Sequence, residues 1–375
     1  MAARDLVYFS PIPWRGLHQR PQHCADLLAA GRRLLFVEPV TLHGEGPPAR
    51  DGDRDWLALP VLPVNARQRV LRGLALAGDA VAPLRRAVEA RQARLLARRC
   101  ERLGLRDPVL LFGHPELAHL RRLFPDSPVV YDHMDDVLRF VPRPGRMRRA
   151  LAALVGEADL VNATSRRLAE QMEALGARRL LRQGNGVEWE RFAGAGGPPP
   201  PPPGLADMPA PRAVYTGSVA EWFDLDLLFE VARRLPDVSF PVVGPLRPAL
   251  LGRVQEAPAN VRFFGQRPYA QVPAWLAGAR AALIPFARNE LTEAVDPVKL
   301  YEYLAAGLPV VATPFSPELA DLAGGVRLAA TADEFADALR GVLDAPPPPE
   351  RQRELAAPRR WERVLAPLVE AIEAL

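Results

Sequence analysis

The stretch DPVKLYEYLAAGLPVVAT, residues 296–313, predicts a helix that is followed at once by a buried strand. Asp296 is a residue type typical of an N-cap, and Pro297 then takes the first helical position. Gly307 marks the end of the helix. The apolar, β-branched run after it is typical of a strand inside a parallel sheet. A helix and a strand in this order form one repeat of a doubly wound α/β fold.

The same alternation extends over both halves of the chain. Short apolar runs that end in polar residues or glycine predict buried parallel strands. They lie at residues 5–10, 33–39, 108–113, 128–136 and 159–164 in the first half, and at 212–218, 238–244, 261–266, 281–287 and 309–314 in the second. Helical patterns separate them, for example at residues 20–31. Two such halves predict two doubly wound, Rossmann-like domains.

Proline runs predict where these domains end. Residues 194–204 contain six consecutive prolines, which fit neither a helix interior nor a sheet. We therefore expect an N-terminal domain at 1–193, a linker at 194–204 and a C-terminal domain at 205–345. A second proline run begins at residue 346, and residues 346–375 are expected to contain a final helix.

Composition excludes several classes of protein. A chain of 375 residues is long enough for two domains, and its net charge of +4 is too small to indicate a nucleic-acid partner. Its two cysteines are isolated, which excludes a zinc cluster and suits a reducing compartment. The sequence has no run of about 18 apolar residues and no signal-peptide pattern at its start. We expect a cytoplasmic protein.

Lys299 is the only lysine in the chain, since the other 47 of the 48 basic residues are arginine. It lies in the first turn of the predicted helix, where unpaired N–H groups and a partial positive charge favour an anion. Lysine adds a compact charge there, whereas arginine would impose a planar fork. Glu302, one turn further, can accept hydrogen bonds from two neighbouring sugar hydroxyls. Diphosphate beside ribose describes half of a nucleotide sugar. The alternative is a surface Lys–Glu pair without function, worth about 0.3–0.5 kcal/mol.

Further candidates follow the predicted strands of the second half. In doubly wound sheets a ligand lies beyond the carboxyl ends of the strands. These positions hold Gly217 and Ser218, then Gly244 and Arg247, then Gly265, Arg267 and Tyr269. A glycine there lets a phosphate approach the backbone, although an ordinary turn is the alternative for the first pair.

These motifs resemble a known family. Residues 296–319 resemble the donor-binding helix of the family-four, or group-one, glycosyltransferases, which have the two-domain GT-B fold. Residues 157–192 resemble the end of the family's first domain, and residues 212–228 the start of its second. Residues 14–39 resemble the opening of a bacterial subgroup that includes teichuronic-acid-type glycosyltransferases. The resemblance covers residues 5–345.

The resemblance implies an enzyme of cell-envelope polysaccharide biosynthesis. Its substrates would be a nucleotide sugar, such as a UDP- or GDP-sugar, and a glycan, lipid-linked or small-molecule acceptor. The transfer would use no metal or cofactor and would retain the anomeric configuration. The donor-binding residues implied are Glu302 for the ribose, Lys299 and the helix amides with Leu300 for the diphosphate, Gly217 and Ser218 beside the phosphates, Gly244 and Arg247, and Gly265 to Arg267 for the base. The final helix would return to the first domain.

Two departures from the family keep other functions open. The family has a further glutamate eight residues before the position of Glu302, and here that position is Ala294, with Glu293, Asn289 and Thr292 nearby. Because that carboxylate contacts the donor sugar in many members, the sugar and the activity itself are in question. The family's basic residues early in the second domain are also unmatched. The alternatives are a non-catalytic GT-B partner or glycan-binding protein, and a nucleotide-sugar 2-epimerase.

Polar residues of the first half form a second candidate set. His133, Asp135 and Asp136 follow a predicted strand and are candidates to orient the acceptor or donor hydroxyls. Asp135 is the first choice because it matches an acidic cleft position of the family, and His133 is the second. Solvated carboxylates and a helix cap are the alternative. Arg20 is expected either to contact the diphosphate or an anionic acceptor, or to cap its own helix.

Two remaining patterns concern metals and membranes. Asp224 and Asp226 match an Asp-x-Asp metal motif, but they begin a predicted helix, so no metal site is expected. The arginine-rich helical region at 67–102 is a candidate for peripheral contact with acidic lipid headgroups, where each basic residue contributes about 1 kcal/mol. A solvated helix face is the alternative.

Overall fold

The computed structural model describes residues 4–15, 18–39, 53–60, 82–141, 144–194, 199–322 and 324–375. The chain divides into two compact units. The first unit comprises residues 1–184 and 365–375, and the second comprises residues 185–364.

One parallel sheet forms the centre of the first unit. Its described strands are β1 Leu6–Phe9, β2 Leu34–Pro39, β3 Arg54–Leu59, β4 Val109–Phe112, β5 Val129–His133, β6 Leu160–Ala163 and β7 Leu180–Arg182. They pair in the order β3-β2-β1-β4-β5-β6-β7. The five central strands confirm the strands predicted for this half, and the two edge strands β3 and β7 are additional.

Helices connect the strands of the first unit. They are α1 Arg20–Leu28, α2 Ala82–Leu103, α3 Gly145–Glu157 and α4 Arg166–Ala174, together with a 3-10 helix at Pro115–Leu123. Ser165 caps α4 by accepting a hydrogen bond from the Leu168 N–H. The start of the predicted arginine-rich region, residues 67–81, lies outside the described residues. Within the described ranges, no helix combines the length and apolar character that crossing a bilayer requires.

The second unit has its own parallel sheet. Its strands are β8 Ala213–Thr216, β9 Phe240–Val243, β10 Val261–Gly265, β11 Ala281–Ile284, β12 Val310–Ala312 and β13 Val326–Leu328. They pair in the order β10-β9-β8-β11-β12-β13. Five of them confirm the predicted strands, and the edge strand β13 is additional. The strand order reverses at β8. Because β8, β9 and β10 are neighbours in this parallel sheet, their carboxyl ends lie side by side.

Helices surround this second sheet, and a last helix closes the chain. They are α5 Trp189–Ala193, α6 Leu225–Arg234, α7 Leu251–Val254, α8 Val272–Ala277, α9 Glu290–Glu293, α10 Val298–Ala305, α11 Ala332–Asp344, α12 Pro349–Ala356 and α13 Trp361–Glu373. Residues of α13 from Leu365 onward belong to the first unit, where Arg32 Nη2 donates to Glu373 Oε1 at 2.9 Å.

The unit boundaries differ from the predicted ones. The first unit ends at Gly184, ten residues before the predicted linker, and the described part of the proline run belongs to the second unit. Leu205, directly after that run, is fully buried in a cluster with Val243 and Trp275. Apolar packing at its end therefore attaches the proline segment to the second unit.

Candidate functional site

Helix α10 is held in place by its apolar face. Leu300, Tyr303 and Leu304 have the helical spacing that the sequence predicts for a buried face, and all three are fully buried in the core of the second unit. The Tyr303 hydroxyl accepts a hydrogen bond from the Thr216 N–H at 2.8 Å. This bond fixes the helix against the end of β8, next to Gly217.

The predicted end of α10 is confirmed, but its predicted cap is wrong. Gly307 has a φ of +84°, and its N–H donates to the Leu304 carbonyl at 2.9 Å, as at a glycine-terminated helix. The N-cap residue is Pro297, and the Asp296 side chain does not cap the helix.

Asp296 instead ties the segment before α10 to Asn185. Its carboxylate accepts hydrogen bonds from the Asn185 N–H at 2.5 Å and from the Tyr301 hydroxyl, and the Asn185 side-chain amide donates to the Asp296 carbonyl at 2.8 Å. Burial raises the pKa of Asp296 to about 6, although these hydrogen bonds oppose the shift. Asp296 therefore positions the start of α10 by a contact that a cap pattern in the sequence does not reveal.

Three glycines, Gly217, Gly244 and Gly265, lie at the carboxyl ends of β8, β9 and β10, beside this helix. Gly217 N–H donates to the Val243 carbonyl at 2.8 Å, and Gly244 N–H donates to the Gly265 carbonyl at 2.9 Å. A Cβ at Gly217 would lie 3.0 Å from Lys299 Cε, and one at Gly244 would lie 2.0 Å from the Gly217 carbonyl oxygen. A side chain on Gly244 would therefore collide with backbone. The structure brings these glycines and Lys299 together, so the carboxyl ends of these strands present backbone next to an ammonium group.

Lys299 is half-buried and has no carboxylate within 4 Å among the described residues. The alternative of a surface ion pair with Glu302 is therefore wrong. Its Nζ lies 4.7 Å from the ring centroid of Phe286 and 5.7 Å from that of Tyr215, so the cation faces aromatic rings. Burial lowers the pKa of Lys299 to about 8, and the charge of Glu302 only partly opposes this. A cation in this environment gains from an anionic ligand.

Glu302 is buried and is already engaged by Tyr269. The Tyr269 hydroxyl donates to Glu302 Oε1 at 2.6 Å, which joins the 3-10 helix after β10 to α10. Burial raises the pKa of Glu302, while the Tyr269 hydrogen bond and Lys299 oppose the shift. The sequence placed Tyr269 in a candidate loop, but nothing in the spacing of 33 residues indicates this hydrogen bond.

The other donor-side candidates occupy different environments. Ser218 is exposed, and its carbonyl accepts the Tyr215 hydroxyl at 2.9 Å. Arg247 lies 3.5 Å from a carboxylate oxygen of Glu221, so it is paired in this structure. Arg267 is exposed beyond β10. The side chain of Leu300 is in the core, so only its backbone faces the helix terminus.

The candidates at and after the carboxyl end of β5 differ strongly in burial. His133 is buried, and its Nδ1 lies 2.7 Å from the Tyr131 hydroxyl, while its Nε2 is buried with no hydrogen-bond partner in the part of the chain described. Burial lowers the pKa of His133 to about 4, so the imidazole is neutral near pH 7. Asp136 is buried and accepts from the Gln171 amide at 3.1 Å, whereas Asp135 is exposed.

Arg20 does not have either of the roles predicted for it. Its Nε and Nη2 donate to the two carboxylate oxygens of Asp132 at 2.8 and 3.0 Å, and its Nη1 donates to the Gly184 carbonyl at 2.5 Å. The cap of α1 is formed by Gln19 and Gln22. Arg20 is buried within this network and is a structural residue of the first unit.

The polar residues near Ala294 and the Asp-x-Asp pattern serve as helix caps. Asn289 and Thr292 form the capping box of α9, so neither side chain is free to replace the missing glutamate, and Ala294 is buried. Asp224 caps α6 by accepting from the Leu227 N–H at 2.9 Å. Capping explains these residues without a ligand.

Known proteins resemble this chain in sequence. Residues 210–345 match the family model described as "Glycosyl transferases group 1". The chain is 28% identical over 222 residues to the "Putative teichuronic acid biosynthesis glycosyltransferase TuaH" of Bacillus subtilis (strain 168), an alignment that covers 54% of this chain and 55% of that protein. The chain thus spans about half the length of this curated relative. The predicted resemblance to group-one and teichuronic-acid-type proteins is confirmed.

Solved structures share the fold over nearly the whole chain. A sucrose-phosphate synthase from Thermosynechococcus elongatus has a TM-score of 0.68 at 16% identity, covering 99% of this chain and 96% of that one. An E. coli trehalose-6-phosphate structure bound with UDP-2-fluoro glucose has a TM-score of 0.72 at 13% identity, covering 99% of each. Anabaena HepE in complex with UDP and glucose has a TM-score of 0.65 at 14% identity, covering 99% of this chain and 100% of that one. These likenesses confirm the predicted GT-B fold.

Proposed function

We propose that the chain transfers a sugar from a nucleotide-sugar donor to an acceptor hydroxyl, because residues 210–345 match the family model described as "Glycosyl transferases group 1". The observation that carries this proposal is Lys299, an ammonium group without a carboxylate partner in the described residues, beside Gly217 at the start of α10. Two of the structures with this fold hold UDP or a UDP-sugar, which supports a UDP-sugar as the first donor to test, with a GDP-sugar as the second.

The donor would lie at the carboxyl ends of β8, β9 and β10, beside the start of α10. We call this surface the donor edge. The diphosphate of the donor would contact Lys299 Nζ, the first N–H groups of α10 and the backbone at Gly217 and Gly244, since these groups place positive charge beside backbone that carries no side chain. The ribose would contact Glu302, whose Oε2 accepts no hydrogen bond from the described residues. The base would then lie near Gly265 and Arg267.

The proposed reaction proceeds with retention and without a metal ion. The bond from the sugar C1 to the β-phosphate oxygen breaks, and the acceptor oxygen bonds to C1 on the same face. The acceptor proton passes to the departing diphosphate. Lys299 would stabilise the charge that develops on the diphosphate, and Arg247 would assist by exchanging its exposed contact with Glu221 for the phosphate. Unchanged turnover in EDTA and an α-product from an α-donor are the expected results.

The acceptor would be oriented by residues of the first unit. The buried Nε2 of His133 has no hydrogen-bond partner within 3.5 Å among the described residues, and an acceptor hydroxyl would supply one. Asp135 is exposed and Asp136 already accepts from Gln171, so Asp135 is the better candidate for a second contact. The likeness to a teichuronic acid biosynthesis protein favours a glycan or lipid-linked acceptor of the bacterial cell envelope.

A lipid-linked acceptor agrees with a peripheral position on the cytoplasmic face of a membrane. Arg91, Arg94, Arg98 and Arg102 are exposed on α2 at helical spacing and share one face. Basic residues near anionic lipid each contribute about 1 kcal/mol. We expect flotation of the protein with phosphatidylglycerol vesicles at low salt and its release at high salt. Absence of binding at low salt would exclude this attachment.

Calorimetry followed by a transfer assay tests the proposed function. The full chain is titrated with UDP and GDP, and the nucleotide that binds selects the sugar donors for the assay. Binding and transfer are expected, and loss of both in Lys299→Ala. Failure to bind either nucleotide contradicts the proposal. Binding without transfer would favour a non-catalytic partner, for which the buried Ala294 is the supporting observation, and interconversion of the donor sugar alone would favour a 2-epimerase.

A further inference from the structure

A cavity of about 650 Å³ opens in the second unit, away from the donor edge. It lies at the amino ends of β12 and β13, whereas Gly217 and Gly244 follow the carboxyl ends of their strands. Its walls are formed by small apolar residues, among them Val310, Ala338 and Val342. Its volume falls in the range of about 300–1,000 Å³ that is typical of small-molecule sites.

The inner wall of this cavity contains an unsatisfied amide. Gln352 on α12 lines the cavity, yet its side chain is fully buried, and neither Oε1 nor Nε2 has a hydrogen-bond partner among the residues described. A primary amide offers two donors and an acceptor, and buried polar groups without partners are rare because they lose their hydration. An unpaired amide at this wall would gain from a ligand group that reaches it.

Two arginines that line the same cavity have no counterion among the described residues. Arg327 on β13 and Arg351 on α12 are exposed, and the described residues place no carboxylate within 4 Å of either guanidinium. Neighbouring arginines behave differently, since Arg353 pairs with Glu350 at 3.6 Å and Arg340 pairs with Asp237 at 2.7 Å. The cavity thus has positive charge at its exposed residues and an amide within.

We propose that this cavity binds a small anionic molecule, distinct from the sugar donor. Its phosphate or carboxylate would contact Arg327 and Arg351, because guanidinium groups hold such anions through paired hydrogen bonds. A hydroxyl or similar polar group on the same molecule would bind the Gln352 amide. Binding in this cavity would not depend on the glycosyltransferase activity.

Titration calorimetry with inorganic phosphate, glycerol 3-phosphate and malonate tests this site. All titrations use the full chain carrying Lys299→Ala, so that the donor edge does not contribute. We expect glycerol 3-phosphate to bind more tightly than inorganic phosphate. Arg351→Ala should weaken the binding of glycerol 3-phosphate and of inorganic phosphate by about tenfold or more, since hydrogen bonds to charged groups are strong. Arg233→Ala removes an exposed arginine of the same unit outside the cavity and should change nothing. Preference for malonate would identify a carboxylate ligand, and preference for the phosphates a phosphate ligand.

The amide is tested separately with Gln352→Leu, which has a similar volume and lacks the unpaired polar atoms. It should fold with an equal or higher Tm, bind inorganic phosphate normally and lose the advantage of glycerol 3-phosphate. If that advantage remains, the amide has no ligand and holds only water. If none of the three anions binds, or if Arg351→Ala binds them as tightly as its parent, the proposal is wrong.

Discussion

Arg20 and Lys299 occupy similar places in the two units. Each lies in the first turn of a helix that packs in a unit built around a parallel sheet. Arg20 has its guanidinium hydrogen-bonded to Asp132 and to a carbonyl, whereas Lys299 faces two aromatic rings and no carboxylate in the described residues. Burial alone would lower the pKa of Arg20, but Asp132 outweighs it and the pKa is raised. For Lys299 burial prevails and the pKa falls to about 8. A counterion thus distinguishes a structural cation from a candidate for ligand binding.

The largest effect is expected at the structural cation. Arg20→Met leaves the buried Asp132 carboxylate uncompensated and should lower the free energy of unfolding by about 3–5 kcal/mol. Lys299→Met removes a desolvated charge that has no counterion among the described residues, so it should leave the free energy of unfolding unchanged or raise it. Chemical denaturation of the full chain measures both. Adding Asp132→Leu to Arg20→Met should recover part of the loss, and a Lys299→Met variant as unstable as Arg20→Met would remove the distinction.

The second effect concerns turnover and should appear only at Lys299. Lys299→Ala should reduce kcat by about 10²–10³, the usual cost of losing one group that stabilises charge in a transition state. Lys299→Arg should recover only part of this loss, because a planar guanidinium does not reproduce the compact ammonium that lies beside Gly217. Steady-state kinetics with the identified donor measure this, and Tm values confirm folding. Near-normal turnover of Lys299→Ala contradicts its assignment.

The third effect is a pH dependence of nucleotide binding. The ammonium of Lys299 is the binding form, and its pKa of about 8 in the free protein means that it loses its proton as pH rises through that value. Affinity for the nucleoside diphosphate should therefore fall about tenfold between pH 7 and 9, with proton uptake on binding. Calorimetry in two buffers of different ionisation enthalpy measures both. Lys299→Arg should show no such fall, since arginine stays charged.

The smallest effect is expected at Tyr269, which orients the carboxylate of Glu302. Tyr269→Phe should weaken binding of the nucleoside diphosphate by about fivefold, the value of one hydrogen bond of about 1 kcal/mol. Binding of the 2′-deoxynucleoside diphosphate should be weakened less by Tyr269→Phe, because Glu302 is expected to contact the ribose hydroxyls. Tyr8→Phe is the matched control, since the buried Tyr8 hydroxyl has no partner in the described part of the chain. An equal loss for both ligands would remove Tyr269 from ribose recognition.

The central strands and the edge strand β10 were predictable from the sequence, whereas the edge strands β3, β7 and β13 were not. A strand with neighbours on both sides is buried on both faces, so β1, β5 and β11 appear as apolar runs. β7 and β13 lie at sheet edges, are three residues long and are partly exposed, so their sequences carry little apolar signal. The proline run was misleading for a related reason, because its composition excludes regular structure but does not show that Leu205 packs into the second unit.

The candidate site was predictable where one element carries the information. Lys299, Glu302 and the glycines after β8 and β9 follow from helix spacing and from strand ends. The partners of charged side chains did not follow, because they come from distant segments. Asp132 lies 112 residues from Arg20, Asn185 lies 111 from Asp296, and Tyr269 lies 33 from Glu302. Whether a cation is structural or available to a ligand depends on such contacts.

We propose above all that Lys299 and the start of α10 hold a pyrophosphate. A crystal structure of the chain with the nucleoside diphosphate that binds in calorimetry tests this directly. We expect a phosphate oxygen within hydrogen-bonding distance of Lys299 Nζ and of the Val298 or Lys299 N–H, with a ribose hydroxyl on Glu302. A nucleotide bound elsewhere, or a Lys299 side chain that points into solvent beside it, would contradict the account.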